Sequence, residues 1–294
     1  MSWRLDINHI TRYRYDRPVV ASYNEARVTP LPVPDQLVID AQVAVRPPAE
    51  LFCYRDYWGA LVHCFDVHVP HQSLIVTSRA VVETGPVAAG RAGAEPDDQR
   101  PGGGAGSAGW PALSEPGVAD RFYEFVAPSR LVTPHDLAGP AGELRARYDE
   151  PGEAVPAVLD WVHDQLEYGT GATHVHTSAS EAWRAGKGVC QDFAHLTLAV
   201  LRAMGIPARY VSGYFYPDEK GVVGAKVLGE SHAWVEAWTG GWASHDPTNR
   251  VQVGERHVVV ARGRDYADVA PVRGIYSGPP CSSSEVTVEL TRRA

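Results

Sequence analysis

The feature that most constrains the fold is an abrupt change of composition between residues 85 and 118, which divides the chain into two unlike parts. This segment is rich in Gly, Ala, Pro and Asp, and its centre reads GRAGAEPDDQRPGGGAGSAG. Such a composition buries too little apolar surface to offset the conformational entropy lost on ordering. We therefore predict a flexible linker over residues 85–118, between an N-terminal domain of residues 1–84 and a C-terminal domain of residues 119–294.

The N-terminal part carries the pattern of β-strands. Short runs of alternating or β-branched residues are separated by Pro and Gly, and they read LDINHITRYRY, LVIDAQVAV and SLIVTSRAVVET. An alternation with a period of two places apolar side chains on one face of a strand, and Pro and Gly mark the turns between strands. This part of the chain is predicted to form an antiparallel β domain.

The C-terminal part begins with helices and continues with strands. Apolar residues recur at helical spacing in ADRFYEFV, AGELRARY and AVPAVLDWVHDQLEY, and the strongest helical segment covers residues 189–204, followed by Gly205 and Pro207. Strand patterns follow in ARYVSGYFY, HAWVEAW, WASHD, HVVVARG and SEVTVEL. Helices followed by a run of strands are typical of an α+β fold.

Charge and composition exclude several classes of function. The formal net charge is −8, which argues against a broad electrostatic contact with nucleic acid or anionic lipid. The start of the chain, MSWRLDINH, has no apolar signal segment, and no stretch approaches the roughly 20 apolar residues of a membrane helix. The four cysteines are too scattered for a disulfide framework or a CxxC-type zinc site. We expect a cytoplasmic protein that binds proteins or small molecules, and neither a nucleic acid nor a membrane.

Cys190 is the candidate nucleophile. It lies in the first turn of the predicted helix 189–204, where unpaired backbone N–H groups favour the thiolate, the form of cysteine that attacks. The small residues before it, in AGKGV, leave room for an extended substrate. Taken alone, a cysteine in this position is more often a small buried side chain, so the prediction depends on its partners.

His232 and Asp246 are the candidate partners. His232 follows Cys190 by 42 residues in a strand whose alternation places His232, Trp234 and Glu236 on one face. Asp246 follows 14 residues later, after GGWASH, and a hairpin would bring it next to His232. These residues supply a nucleophile, a base and a carboxylate that orients the base, which is the set needed for thiol catalysis.

Four motifs around these residues resemble a known family. They read GVCQDFAHL, GIPARYVSGY, SHAWVEAW and HDPTN. They are similar to the bacterial branch of the transglutaminase-like superfamily, whose core resembles that of papain. The resemblance implies that Cys190 is the nucleophile, His232 the base and Asp246 the orienting acid. It also implies a helical part packed on an antiparallel sheet and preceded by a β domain, and it extends to the later segment ARGRDYADVAPVRG.

Further residues are candidates for the surroundings of the site. The backbone N–H of Cys190 is one predicted oxyanion donor, and the hydroxyl of Tyr168 is the candidate for the second, although it would serve equally to cap a helix end. Trp234 and Gln191 are candidates for the substrate groove, with the hydrophobic core as the alternative for the tryptophan. We predict neither a metal nor a cofactor, because no recognisable ligand spacing connects the remaining histidines, among them His163, His174 and His176.

The sequence thus predicts acyl transfer on a protein or peptide amide through a cysteine thioester. A primary amine that resolves the thioester would make the protein a transglutaminase, and water would make it a cysteine peptidase or amidase. Both outcomes remain open at this point. A catalytically silent peptide-binding module of the same fold is the alternative from another class, and a metal-dependent hydrolase is a third.

Overall fold

The computed structural model describes residues 2–85 and 108–294. Residues 2–85 form β-strands, as predicted: β1 (Trp3–Val19), β2 (Ala21–Ala26), β3 (Gln36–Arg46), β4 (Phe52–Arg55), β5 (Leu61–Val67) and β6 (His71–Thr84). Helices come next: α1 (Trp110–Leu113), α2 (Pro116–Arg121), α3 (Tyr123–Val126), a 3₁₀ turn (Pro134–Leu137), α4 (Ala138–Arg145), α5 (Pro151–Gln165), α6 (Ala179–Ala185) and α7 (Cys190–Ala203), with the short strands β7 (Glu167–Tyr168) and β8 (Lys187–Gly188) on either side of α6. The last part contains β9 (Ala208–Phe215), β10 (Lys226–Trp238), β11 (Trp242–His245), β12 (His257–Gly263), α8 (Tyr266–Val269), β13 (Val272–Ser277) and β14 (Cys281–Arg292).

The predicted α+β class is confirmed, and the strands form two main antiparallel sheets. The larger sheet has the order β12-β9-β10-β14-β1-β6-β3, with β11 also paired to β10. The smaller sheet has the order β13-β2-β5-β4. In both sheets, strands from residues 119–294 pair with strands from residues 1–84, because β14 lies between β10 and β1 and β13 pairs with β2. Backbone hydrogen bonds therefore cross the predicted domain boundary. None of the described helices combines the length and apolar composition needed to cross a bilayer.

The predicted linker is partly folded. Residues 86–107 lie outside the described residues, so the prediction stays untested there. Over residues 108–118 the structure contains helix: α1 begins at Trp110, whose indole Nε1 donates a hydrogen bond to the backbone oxygen of Tyr148 at 3.0 Å. The guanidinium of Arg145 stacks on the same ring at 4.6 Å. The average composition of residues 85–118 did not indicate this contact, because one tryptophan buries more apolar surface than the small residues around it.

Helix α7 carries Cys190 into the centre of the molecule. Every residue from Gln191 to Arg202 is buried, in contact with β10, β9 and the other helices. At its start, Asp192 Oδ2 accepts hydrogen bonds from the backbone N–H of Val189 at 2.8 Å and from the hydroxyl of Thr173 at 2.6 Å. A carboxylate that binds an otherwise unpaired N–H fixes the beginning of a helix. The thiol of Cys190 is therefore held at a defined place in the first turn.

A buried ion cluster fixes the sheet beside α7. Glu236 in β10 accepts hydrogen bonds from Arg209 in β9 at 2.6 Å and from Arg262 in β12 at 2.9 and 3.0 Å. Burial alone would raise the pKa of Glu236, but the two guanidinium groups lower it to about 2. Arg262 therefore belongs to a buried ion pair. The cluster holds β9, β10 and β12 together at the strand that carries His232.

We expect the substitution Glu236→Gln to destabilise the protein by about 3–5 kcal/mol, because it leaves two buried guanidinium groups without their counter-charge. Urea unfolding at neutral pH measures this change in the free energy of unfolding. The matched control is Glu83→Gln, since Glu83 pairs with Arg4 at the surface at 3.0 Å. A surface pair contributes about 0–1 kcal/mol. Equal effects of the two substitutions would contradict the role given to the cluster.

Candidate active site

The three predicted catalytic residues meet at the contact between α7 and the large sheet. Cys190 is the first residue of α7, His232 lies in β10, and Asp246 follows β11 directly. Strands β10 and β11 form the predicted hairpin, in which Val235 is paired with His245. This pairing places Asp246 next to His232, with 2.8 Å between Oδ2 and the imidazole Nε2. The Cys190 thiol lies near this imidazole and raises its pKa.

The hydrogen bonds of His232 define where its protons are. Asp246 accepts the Nε2 proton, so Nδ1 is the ring nitrogen left for the thiol. Burial would lower the pKa of His232, but the hydrogen bonds to Asp246 and Cys190 and the charges of both groups raise it to about 10. Burial would raise the pKa of Asp246, and hydrogen bonds from His232 and His257 together with the charge of His232 hold it well below its usual range. The arrangement favours an imidazolium beside the ionised carboxylate of Asp246.

Two further side chains bind the same carboxylate and were not predicted as partners of Asp246. His257 Nε2 lies 3.3 Å from Asp246 Oδ2, and Asn249 Nδ2 donates to the same oxygen at 3.0 Å. The other oxygen, Oδ1, accepts the backbone N–H groups of Thr248 at 3.0 Å and Asn249 at 3.1 Å. A signal for His257 exists in the sequence, because it is a polar residue at the start of the otherwise apolar strand HVVVA. Asp246 is thus bound on both oxygens by five donors.

His232, Asp246 and His257 also have the residue types of a metal site, and their ligand atoms lie within 4.8 Å of one another. The hydrogen bonds fit a metal poorly. The backbone N–H of Gly254 points at Nδ1 of His257 at 3.4 Å, so that nitrogen is the acceptor and the proton sits on Nε2. A metal on Nε2 would require a proton on Nδ1, facing the N–H of Gly254. The protons fit a hydrogen-bonded carboxylate better than a metal centre.

Tyr168 lies beside the start of α7. It is in β7, opposite Gly188 of β8, which precedes Cys190 by two residues. Its side chain is half-exposed, and its ring centre is 6.3 Å from that of Phe193 in α7. The backbone N–H of Cys190 belongs to the first turn of the helix, where N–H groups have no acceptor within the helix. These positions agree with the predicted oxyanion donors, whose role stays a prediction.

The predicted groove residues differ in their surroundings. Gln191 follows the nucleophile and is 9% exposed, and its groove role stays a prediction. Trp234 is 0% exposed, which places it in the hydrophobic core, the alternative that the sequence leaves open for it, and not on the groove surface. It packs in a core cluster that includes Leu31 and Val259. Alternation could not predict this, because the covering residue Leu31 comes from the N-terminal part of the chain.

Comparison with known proteins agrees with this geometry. Residues 140–247 match the transglutaminase-like superfamily, and residues 5–83 match the bacterial transglutaminase-like N-terminal region. The Mycobacterium leprae protein ML0607 is 45% identical over 292 residues, which cover 99% of this chain and 100% of the relative. The chain belongs to the transglutaminase-like superfamily. The family predicted from the four motifs is thereby confirmed.

Other similar proteins share less of the sequence. The Mycobacterium tuberculosis protein Rv2569c is 34% identical over 307 residues, covering 98% of this chain and 92% of the relative. A protein-glutamine gamma-glutamyltransferase of Pseudomonas aeruginosa is 34% identical over 158 residues, 48% of this chain and 23% of the relative. A Cytophaga hutchinsonii structure, provisionally assigned as a cysteine protease, has a TM-score of 0.74 at 23% identity and covers 98% of this chain and 90% of its own. At the level of the family, cysteine-dependent acyl transfer or proteolysis is supported.

Proposed function

We propose that this protein is a thiol-dependent acyltransferase or amidase that forms a thioester between Cys190 and the acyl group of a protein or peptide amide. One observation carries the proposal. The imidazole of His232 lies 2.8 Å from the buried carboxylate of Asp246, and the Cys190 thiol lies near enough to the same imidazole to raise its pKa. A peptide-binding groove needs no such charge relationship between a thiol, an imidazole and a carboxylate.

The proposed reaction has two steps. In the first, the Cys190 thiolate attacks the amide carbonyl carbon, and the backbone N–H of Cys190, with Tyr168 as the candidate second donor, stabilises the oxyanion. His232 then gives its Nδ1 proton to the leaving nitrogen, the C–N bond breaks and a thioester remains. In the second step a primary amine or water attacks the thioester and loses its proton to His232. The C–S bond breaks and the thiolate–imidazolium pair forms again.

The first test is alkylation of the native protein with iodoacetamide between about pH 5 and about pH 9, with peptide mapping of the labelled cysteines. The chain contains its own comparison. Cys53 is an exposed thiol 3.1 Å from Nδ1 of His63, but His63 Nε2 faces the hydroxyl of Thr29 at 2.8 Å instead of a carboxylate. Burial lowers the pKa of His63, so its imidazole is a poor base. We expect Cys190 to be alkylated at least about tenfold faster than Cys53 near pH 6.

The outcome decides between the two classes of function. Faster alkylation of Cys190 supports a catalytic thiol, even though Cys53 is the more exposed of the two. Alkylation of Cys53 in preference to Cys190 would favour the catalytically silent binding module. The substitution Cys53→Ala confirms that the two signals are assigned to the correct residues.

A second measurement identifies the acyl acceptor. p-Nitrophenyl acetate is a generic acyl donor that needs no recognition of a peptide, and mass spectrometry of the intact protein detects acetylation of Cys190. Adding a primary amine such as methylamine to the acetylated protein separates the two reactions. Faster loss of the acetyl group with formation of the N-methyl amide supports transfer, whereas a rate independent of the amine supports hydrolysis.

A further inference from the structure

His257 occupies the same carboxylate oxygen as His232. Both Nε2 atoms face Asp246 Oδ2, at 2.8 Å for His232 and 3.3 Å for His257. The ring of Phe215 contacts both imidazoles, with centroid distances of 5.3 Å to His232 and 4.8 Å to His257. His257 is buried, and its ring also contacts that of Trp234, with 5.3 Å between the ring centroids. The two histidines thus share one acceptor, and their ring centroids are 6.3 Å apart.

The protonation state of His257 follows from its neighbours. Gly254 donates its N–H to Nδ1 at 3.4 Å, so the proton of a neutral ring sits on Nε2 and is donated to Asp246. Burial lowers the pKa of His257 against the opposing effect of Asp246, and the charges of His232 and Arg256 lower it further. His257 is therefore a neutral donor beside a histidine that carries charge.

The other groups that face this network are few. Cys190 on α7 faces His232, and Asn249 donates to Asp246 Oδ2 from the loop after β11. Arg256 lies next to His257 in sequence and pairs with Glu219 at 3.6 Å. Asn249 Nδ2 also lies 3.2 Å from Nε2 of His232. His257 and Asn249 are thus the two donors that share Oδ2 with His232, so the acceptor strength that Asp246 offers to His232 depends in part on what His257 donates.

We propose that His257 is a positioning residue that limits how strongly Asp246 holds the proton of His232. A hydrogen bond to a carboxylate stabilises the charged form and makes that oxygen a weaker acceptor for a second donor. In the reaction, His232 must first keep its proton while the thiolate attacks and then release a proton to the leaving nitrogen. An imidazolium held too strongly by its carboxylate is a weaker acid for that second event. This inference rests on the proposed function of the Cys190–His232 pair.

A matched pair of substitutions separates the donor from the ring. In His257→Gln, the side-chain amide nitrogen reaches the place of Nε2 and can still donate to Asp246. In His257→Asn, the side chain is shorter, keeps an acceptor near the place of Nδ1 for Gly254, and loses the donor to Asp246. Urea unfolding establishes that each variant is folded. His257→Leu, which also lacks the donor, replaces the Asn variant if that variant does not fold.

Two measurements report on His232 directly. The first is the proton resonance of its Nε2–H in protein with ¹⁵N-labelled histidine, which moves downfield as the hydrogen bond to Asp246 strengthens. The second is the rate of alkylation of Cys190 by iodoacetate, an anionic reagent that the imidazolium attracts, so the rate falls when His232 loses its proton at alkaline pH. We expect the Asn variant to show a downfield shift and an alkaline limb about one pH unit higher, about a tenfold change in acid dissociation constant. The Gln variant should stay close to the wild type in both.

Failure of the role given to His257 and failure of the proposed function give different results. If the folded Asn variant leaves the resonance and the alkaline limb in place, His257 only fills space and the inference is overturned. A shift in the opposite direction overturns it as well. If Cys190 of the wild type is no more reactive than Cys53, the proposed function fails. The resonance of His232 still tests the coupling through Asp246 in that case, because it requires no reactive thiol.

Discussion

The variant Cys190→Ala is expected to lose acyl transfer by about 10⁴-fold or more, because it lacks the thiol that would form the covalent intermediate. Its free energy of unfolding should change by less than about 1 kcal/mol, since the first residue of a helix packs little and Ala suits a helix. Burst kinetics with p-nitrophenyl acetate measures the loss. Intact-protein mass spectrometry shows whether an acetyl group remains attached to the protein.

The control for this variant is Cys281→Ala. Cys281 is half-buried in β14, and its thiol contacts the backbone oxygens of Arg14 and Ser283. It resembles Cys190 in accessibility and lacks a histidine partner among these contacts. We expect the Cys281→Ala variant to be acetylated at Cys190 at the wild-type rate. Acetylation of Cys190→Ala at the wild-type rate would remove Cys190 from the mechanism.

The variant Asp246→Asn is expected to reduce acyl transfer by about 10³–10⁴-fold, because the imidazole loses the carboxylate that fixes its tautomer and stabilises its charge. The structure adds a second effect. Both oxygens of Asp246 act as hydrogen-bond acceptors: Oδ2 accepts from three donors and Oδ1 from two. In either orientation, the side-chain amide of Asn would point its NH₂ group at the donors that now face one of the two oxygens. We therefore expect a loss of about 3 kcal/mol in the free energy of unfolding as well.

Asp265→Asn is the matched control for this second effect. Asp265 is also buried, and its carboxylate accepts the backbone N–H groups of Leu131 and Ala267, each at 2.8 Å. Its substitution should destabilise the protein and leave the reactivity of Cys190 unchanged. Urea unfolding and alkylation of both variants test the pair. An Asp246→Asn protein as stable and as reactive as the wild type would contradict the orienting role.

The sequence predicted the parts of the site that depend on local pattern. The start of α7 at Cys190, the strand of His232 and the hairpin that brings Asp246 to it are all encoded within short segments. The family motifs then identified the order of the residues. Local periodicity is sufficient here because each residue is placed by the element that contains it.

The parts that the sequence did not predict depend on contacts between distant segments. Trp234 is buried because Leu31, about 200 residues earlier, covers its face of β10. His257 reaches Asp246 because β12 and β10 both pair with β9, where His257 is opposite Phe215 and His232 is opposite Gly213. No alternation within one strand encodes such a neighbour. The helix at Trp110 was not predicted for a different reason: its segment is otherwise composed of residues typical of linkers.

The position of β14 between β10 and β1 constrains how the sequences of related proteins evolve. Strand β14 pairs with β1 along almost its full length, from Leu5 opposite Arg292 to Tyr15 opposite Cys281. It pairs with the strand of His232 only over Lys226–Gly229. Substitutions in β14 should therefore follow those in β1 among relatives. A recombination that exchanges the first 84 residues alone would give β14 a foreign neighbour, so the first and last segments of the chain are expected to be inherited together.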